Sequence, residues 1–239
     1  MSVLLKIPFK TFLIVTSLLP LTAFFFCVLW SLMFNFEDST STHCLVRNYL
    51  PSISNAVGGY SPQKYIWRMS IALHSTPRFL IALMYYNNFH YASSREIYSY
   101  LHTLTFLLLI FQCTEIFSLM GLTYISSSED FPKHQKLFVS FVISALLSMM
   151  ILYILLKHNI SAQHSRCDRK SMRFKFTLLT VNFVTFCLSV YFYLRHNWYC
   201  EPGLYTLFAL SEYLVVLSNI GYHVTSIWDF PSQSIIVTS

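Results

Sequence analysis

Six stretches of the chain stay apolar for the length of a bilayer crossing: residues 11–34, 65–86, 101–123, 137–156, 176–194 and 204–227. A hydrocarbon core of roughly 30 Å takes about 20 apolar residues in a helix, so each run predicts one transmembrane helix. The first follows Lys6 and Lys10 and imitates a secretion leader. It is too long for one, whose apolar region runs about 7 to 15 residues, and no small-residue cleavage site follows it. The second is the least apolar, because WRMSIALHSTPRFL places two arginines, a histidine and a proline where lipid is expected. If that segment lay on the surface, the sidedness of everything after it would invert.

Between these runs no linker separates domains, so residues 1–239 are expected to form a single all-α, polytopic six-helix transmembrane bundle. The largest polar piece, residues 35–64, holds Pro51, Gly58-Gly59 and Pro62, which break regular structure, together with apolar Tyr49, Ile53 and Val57. This mixture predicts a packed lumenal loop cap. In the fourth run Ser140, Ser144 and Ser148 recur every fourth residue, a spacing of small side chains that lets helices approach closely.

Composition agrees with a membrane solvent: 55% hydrophobic and 11% charged residues, with a mean hydropathy of +0.52. The net charge of +6 comes largely from the segment 157–175, KHNISAQHSRCDRKSMRFK. Basic residues gather on the cytosolic side of a helical membrane protein. A cytosolic amino terminus places Lys6, Lys10, Arg95, Lys157, Arg166, Arg169, Lys170, Arg173 and Lys175 there, against Arg47, Lys64, Lys133, Lys136 and Arg195 opposite. No nucleic-acid signature accompanies the charge, so no nucleic-acid partner is expected. The glycosylation pattern Asn159-Ile160-Ser161 falls on the cytosolic side, where it stays unmodified.

The same topology sorts the cysteines. Cys27, Cys113 and Cys187 fall inside spans as small packing residues, and Cys167 in the reducing cytosol. Cys44 and Cys200 share the lumenal side, where a disulfide persists; the alternative is two free thiols.

Polar residues inside the spans are the candidate chemistry, because a charge at mid-bilayer costs at least about 2.5 to 3.5 kcal/mol unless it faces a partner or a wet interior. His74 and Arg78 share one helix face, with Arg68 about 80° from Arg78. Glu212, Asn219 and His223 form a second seam, Asn182, Ser189, Tyr193 and His196 a third, and Gln112 with Glu115 a fourth. A shared interior spares all four seams the lipid. By depth, His74, Glu115 and Glu212 should lie level, with Arg68 nearer the lumen and Arg78 deeper. Glu129, Asp130, Arg195 and His196 should ring a lumenal mouth, while Asn219, His223 and Asp229 lie toward the cytosolic end. The arginines and glutamates are either buried structural ion pairs or a ligand site. His196 and Glu201 stand five apart, as in the HxxxxD pairs of some acyltransferases, where a carboxylate orients a histidine base. No zinc spacing, serine elbow or phosphate loop is present, so no metal is expected.

Many of these residues stand in blocks: Thr42-His43-Cys44, Asn48-Tyr49-Leu50-Pro51-Ser52, Trp67-Arg68, Leu73-His74-Ser75, Pro77-Arg78-Phe79-Leu80, YISSSEDF at 124–131, Arg195-His196-Asn197, Tyr199-Cys200-Glu201, Glu212-Tyr213, Asn219, His223 and Trp228-Asp229-Phe230. In these, over residues 10–230, the chain resembles the post-GPI attachment to proteins factor 2 family. The resemblance implies a multi-pass protein of the Golgi membrane, with the endoplasmic reticulum as the alternative location. It further implies a role in remodelling GPI-anchor lipid, at the stage where lyso-GPI is reacylated with a saturated chain for stable surface display. Such a protein either transfers the acyl group itself or assists a partner remodelling enzyme. Its partners would be GPI-anchored proteins and membrane lipid; no cofactor is expected, and the acyl donor stays open. In such a mechanism His74 or His196 would act as base on an inositol-lipid hydroxyl. Arg68, Arg78, Arg195, Glu115 and Glu212 would line the lipid and phosphate site. A non-catalytic lipid adaptor and a small transporter are the competing readings.

Overall fold

The computed structural model describes residues 3–93, 99–160 and 166–238. Two short strands, β1 (Val3–Pro8) and β2 (Ser234–Thr238), pair antiparallel. Between them run α1 (Phe9–Phe34), α2 (Phe36–Thr40), α3 (Ile53–Gly58), α4 (Gln63–Ser93), α5 (Ser99–Tyr124), α6 (Phe131–Ile160), α7 (Arg166–Tyr199), α8 (Leu204–Val224) and α9 (Ser226–Asp229). The first five predicted spans are single helices that extend past the predicted ends on at least one side, and the sixth is split at Thr225 into α8 and α9. Arg95 and the Asn159-Ile160-Ser161 pattern lie outside the described residues or their described side chains, as does the Cys167 side chain.

The six long helices close a ring in the order α1, α4, α5, α6, α7, α8. Among long helices consecutive in the chain the α6–α7 seam is the loosest, and the closing α8–α1 seam is looser still. Large apolar side chains such as Phe25, Leu29, Phe106, Ile143, Phe183 and Val184 stand exposed around the ring, as lipid-facing positions should.

By length and apolarity five helices qualify as crossings, not six: α4 falls short. Arg68, His74, Arg78 and the pair Asn87-Asn88 lower its hydropathy. Its His74 and Arg78 nevertheless turn into the protein, and Trp67, Ile71, Ile81, Tyr85 and Phe89 are buried. The β1–β2 pairing decides its path. Strands joined in one ladder lie on one side of the membrane, so the chain between them crosses an even number of times, which requires α4 in addition to the other five. The helix continues through Pro77 without interruption.

The core has two apolar tiers. One lies toward the strands and includes Phe9, Leu13, Tyr85, Leu108, Met149, Leu152, Tyr222 and Phe230. The other lies under the cap and includes Phe24, Cys27, Ala56, Val57, Trp67, Ile71 and Tyr213. Along α4, His74 and Arg78 fall between the two tiers, so the polar residues are sandwiched by hydrocarbon.

Segment 35–64 forms the expected cap. Ser52 starts α3 by accepting the backbone N–H of Asn55 at 3.2 Å, a regular serine N-cap. Ala56 and Val57 of that helix are buried, and Tyr213 of α8 donates its hydroxyl to the Pro51 carbonyl at 2.6 Å. Tyr49 departs from expectation: its side chain is exposed, and the residue is held by a backbone N–H bond to the Thr206 hydroxyl. Cys44 and Cys200 form the disulfide, tying the cap to the α7–α8 turn.

Two features of the basic segment 157–175 differ from a solvated loop. Helix α7 begins at Arg166, and Lys175 is fully buried. Its Nζ bonds Asp229 Oδ2 at 2.7 Å, Thr225 Oγ1 at 2.6 Å and Ser171 Oγ at 2.8 Å. The Tyr85 hydroxyl also donates to Asp229. A lone lysine could not pay its desolvation there; the carboxylate and hydroxyls make it tolerable.

Candidate functional site

The interior site is built around Glu115 of α5, which is buried to 1% exposure. Its Oε1 accepts from Arg78 Nη2 of α4 at 3.0 Å, Asn219 Nδ2 of α8 at 3.2 Å and His223 Nε2 of α8 at 3.0 Å. Its Oε2 accepts from Ser148 Oγ of α6 at 3.1 Å. One carboxyl group thus joins four helices, and Arg78 supplies the opposite charge that a buried site requires. The periodic faces of the sequence explain this. A charged or amide side chain on each helix points to the one direction free of lipid, and the directions converge.

Asn219 and His223 were expected toward the cytosolic end and instead meet Glu115 at the middle of the ring. The seam on α8 from Glu212 to His223 is about 16 Å long at 1.5 Å per residue, so it reaches from the cap to the bundle centre. Only Asp229, beyond the end of α8, holds the strand-side position. The spacing of Ser148 predicts a packing residue, and its hydroxyl also donates to the site. Ser140 does pack, bonding Ser118 of α5 at 2.8 Å.

A chamber of about 80 Å³ lies between this cluster and the cap, lined by His74, Arg78, Glu212, Asn219 and His223 and by apolar Val57, Trp67, Ile71, Phe141 and Val215. His74 Nδ1 bonds the Thr16 carbonyl of α1 at 2.9 Å, which fixes the ring. Glu212 is buried and accepts the Ile53 backbone N–H at 3.2 Å, holding α3 over the chamber. It pairs with neither arginine.

The chamber borders a cleft of about 250 Å³ between α6 and α7, walled by Phe131, Phe138, Val139, Val190, Leu194 and Phe208. Ser54, His134, Phe138, Ser189 and Glu212 line both spaces. The two spaces therefore meet at a shared wall, and the second opens sideways between α6 and α7.

The remaining candidates lie outside these spaces. Arg68 reaches Glu129 Oε1 at 3.3 Å and the Tyr124 carbonyl at 3.3 Å on the cap-side rim. The Ser126 backbone N–H, with Arg68, holds the Glu129 carboxyl below its ordinary range. Lys133 does the same for Asp130, which also caps α6 by accepting the Lys133 N–H at 3.1 Å. Arg195 pairs with Glu201 at 2.6 Å, and His196 bonds Thr42 Oγ1 at 3.0 Å beneath the cap. The His196–Glu201 pairing therefore does not form. Cys200 turns with φ +50, and the chain brings Glu201 back onto Arg195. His196 lines neither space.

The third seam also divides. Asn182 donates to the Val215 carbonyl at 2.8 Å and Ser218 Oγ at 2.9 Å, cementing α7 to α8. Ser189 lines both spaces and Tyr193 the cleft. Gln112 is buried near Glu115 in sequence but outside both linings. Sequence reasoning missed Ser54 and His134, because a histidine within Lys133-His134-Gln135-Lys136 reads as a solvated helix start.

The fold and its interior define a polytopic helical membrane protein with a buried polar chamber beside a cleft open sideways toward lipid. The Frag1/DRAM/Sfk1/Cwh43P N-terminal domain matches residues 8–233. The chain is 44% identical over 237 residues to "Acyltransferase PGAP2" of Xenopus tropicalis, covering 99% of this chain and 93% of that one. It is 42% identical over 238 residues to "Post-GPI attachment to proteins factor 2" of Caenorhabditis elegans, covering 99% and 90%. The protein of that name in Drosophila melanogaster is 40% identical over 237 residues, covering 98% and 91%. The chain therefore belongs to the Frag1/DRAM/Sfk1/Cwh43P group and, within it, to the post-GPI attachment to proteins factor 2 family. No solved structure matches it.

Proposed function

We propose that this protein remodels the lipid of GPI anchors, acting where a lyso-GPI is reacylated with a saturated chain, in the Golgi membrane. The observation that carries the reading is the polar chamber lying against the apolar α6–α7 cleft, with five residues lining both. An amphiphile with one acyl chain fits such a space: the chain occupies the phenylalanine-walled cleft, and the head stays toward the cap. Arg68 supplies a cation at the cap-side rim, in an exposed pair with Glu129, whereas Arg78 is buried with Glu115. His74, with Nδ1 held by Thr16, offers Nε2 to a ligand in the chamber. GPI-anchored proteins and membrane lipid are then its partners.

A lipid-presenting accessory role is the second reading, favoured by the Glu115 carboxyl being filled by donors of the protein itself. Reacylation of lyso-GPI by purified protein in proteoliposomes tests the first directly. Turnover that rises with protein and falls when the cleft is blocked supports it. Lipid binding without turnover assigns the accessory role, and neither binding nor rescue of surface GPI-anchored proteins in deficient cells removes both.

A further inference from the structure

Where chamber and cleft meet, Ser54 Oγ lies 3.0 Å from His134 Nε2, and His134 Nδ1 lies 2.7 Å from the Ile125 carbonyl oxygen. A carbonyl only accepts, so Nδ1 carries the ring proton and the neutral imidazole presents its lone pair at Nε2. The serine hydroxyl is then the donor of the first bond. A hydroxyl donating to an imidazole whose far nitrogen is held by an acceptor is the arrangement that activates a serine nucleophile. His134 is buried, Ser54 is partly exposed, and both line the polar and the apolar space at once.

A strut between cap and bundle would need none of this placement. The cap is already tied by Tyr213 to Pro51, by Glu212 to Ile53 and by the disulfide. The disulfide also marks this side of the membrane as the oxidising one. A cleft open to the bilayer there admits ester-linked acyl chains of phospholipids.

The geometry points to Ser54 and His134 as an acyl-transfer pair that takes an acyl chain from a phospholipid ester and holds it as an acyl-serine. This rests on the proposed remodelling activity and specifies its donor class. Ser54 Oγ attacks the ester carbonyl while its proton passes to His134 Nε2. The ester C–O bond breaks, and the departing glycerol oxygen takes that proton, leaving a lysophospholipid. The hydroxyl of the lyso-GPI then attacks the acyl-serine carbonyl and gives its proton to Nε2. The bond to Oγ breaks and His134 returns the proton to Ser54. No oxidant or further reactant is consumed.

The experiment uses the full chain in proteoliposomes with phosphatidylcholine carrying an isotopically labelled acyl chain, first without and then with lyso-GPI. Expected is a labelled acyl adduct on the peptide holding Ser54, discharged by lyso-GPI. The adduct should be absent in Ser54→Ala, and turnover in His134→Gln should fall by about 100-fold or more. Ser54→Cys keeps a nucleophile and serves if Ser54→Ala does not fold; its adduct should be a thioester cleaved by hydroxylamine. Turnover of Ser54→Ala at the wild-type rate, or wild-type turnover with the label elsewhere or nowhere on the protein, overturns the proposal and leaves the remodelling function standing. An adduct on Ser54 that no lyso-GPI discharges upholds the pair and overturns the function.

Discussion

Arg78 Nη2 of α4 lies 3.0 Å from Glu115 Oε1 of α5, and both side chains are buried at the centre of the helical ring. The pair explains how a helix carrying arginines can cross a membrane: its charge is answered inside the protein before it meets lipid. Removing one partner leaves the other as an uncompensated buried charge, which costs about 3–5 kcal/mol. Arg78→Leu and Glu115→Leu should therefore each lower the thermal midpoint in detergent sharply. The double variant should be more stable than Glu115→Leu, since Arg78 no longer stands as an unpaired charge, while Asn219, His223 and Ser148 still lose their acceptor.

Lys175 and Asp229 make the corresponding pair near the paired strands. Lys175→Met is expected to destabilise by a similar amount, about 3–5 kcal/mol. Its effect should be concentrated locally. Hydrogen exchange in residues 226–238 should accelerate, while amides of α3 and the cap remain as protected as in the wild type.

The Cys44–Cys200 bond closes a long loop across the bundle, so its loss should cost about 2–4 kcal/mol. Cys44→Ser and Cys200→Ser should each abolish the same reduction-dependent shift on a gel. The two variants should melt alike, because either change breaks the one bridge.

The rim pair gives a pH test. The Ser126 N–H and Arg68 lower the Glu129 carboxyl from its ordinary value of 4.5, so the folded form binds that proton less readily than the unfolded chain. Stability from this group is therefore present above the ordinary value and lost as pH falls through the lowered one. Wild type and Glu129→Gln should differ at neutral pH and converge in acid, read by melting scans across that range.

Much of this arrangement is legible in the sequence because helices impose a period. Arg78 with His74, and Glu212 with Asn219 and His223, are placed on shared faces by spacing alone, and the interior follows from the cost of exposing them. Depth is less legible, since contacts between distant helices depend on how they pack. That is why Asn219 and His223 meet Glu115 instead of marking one end. Lys175 and His134 were hidden for another reason: each sits in a basic run beside a helix end, where composition indicates solvent. Their partners, Asp229 and Ser54, are remote in sequence.

The cleft between α6 and α7 carries the central claim, that an acyl chain enters this protein sideways. A lyso-GPI analogue with a photoreactive group on its acyl chain, crosslinked in proteoliposomes and mapped by mass spectrometry, tests it most directly. We predict adducts on Phe138, Val190 and Phe208, lost when Val190→Trp fills the cleft. Adducts spread over outward positions such as Phe25 and Leu29 of α1, unchanged by Val190→Trp, would contradict it.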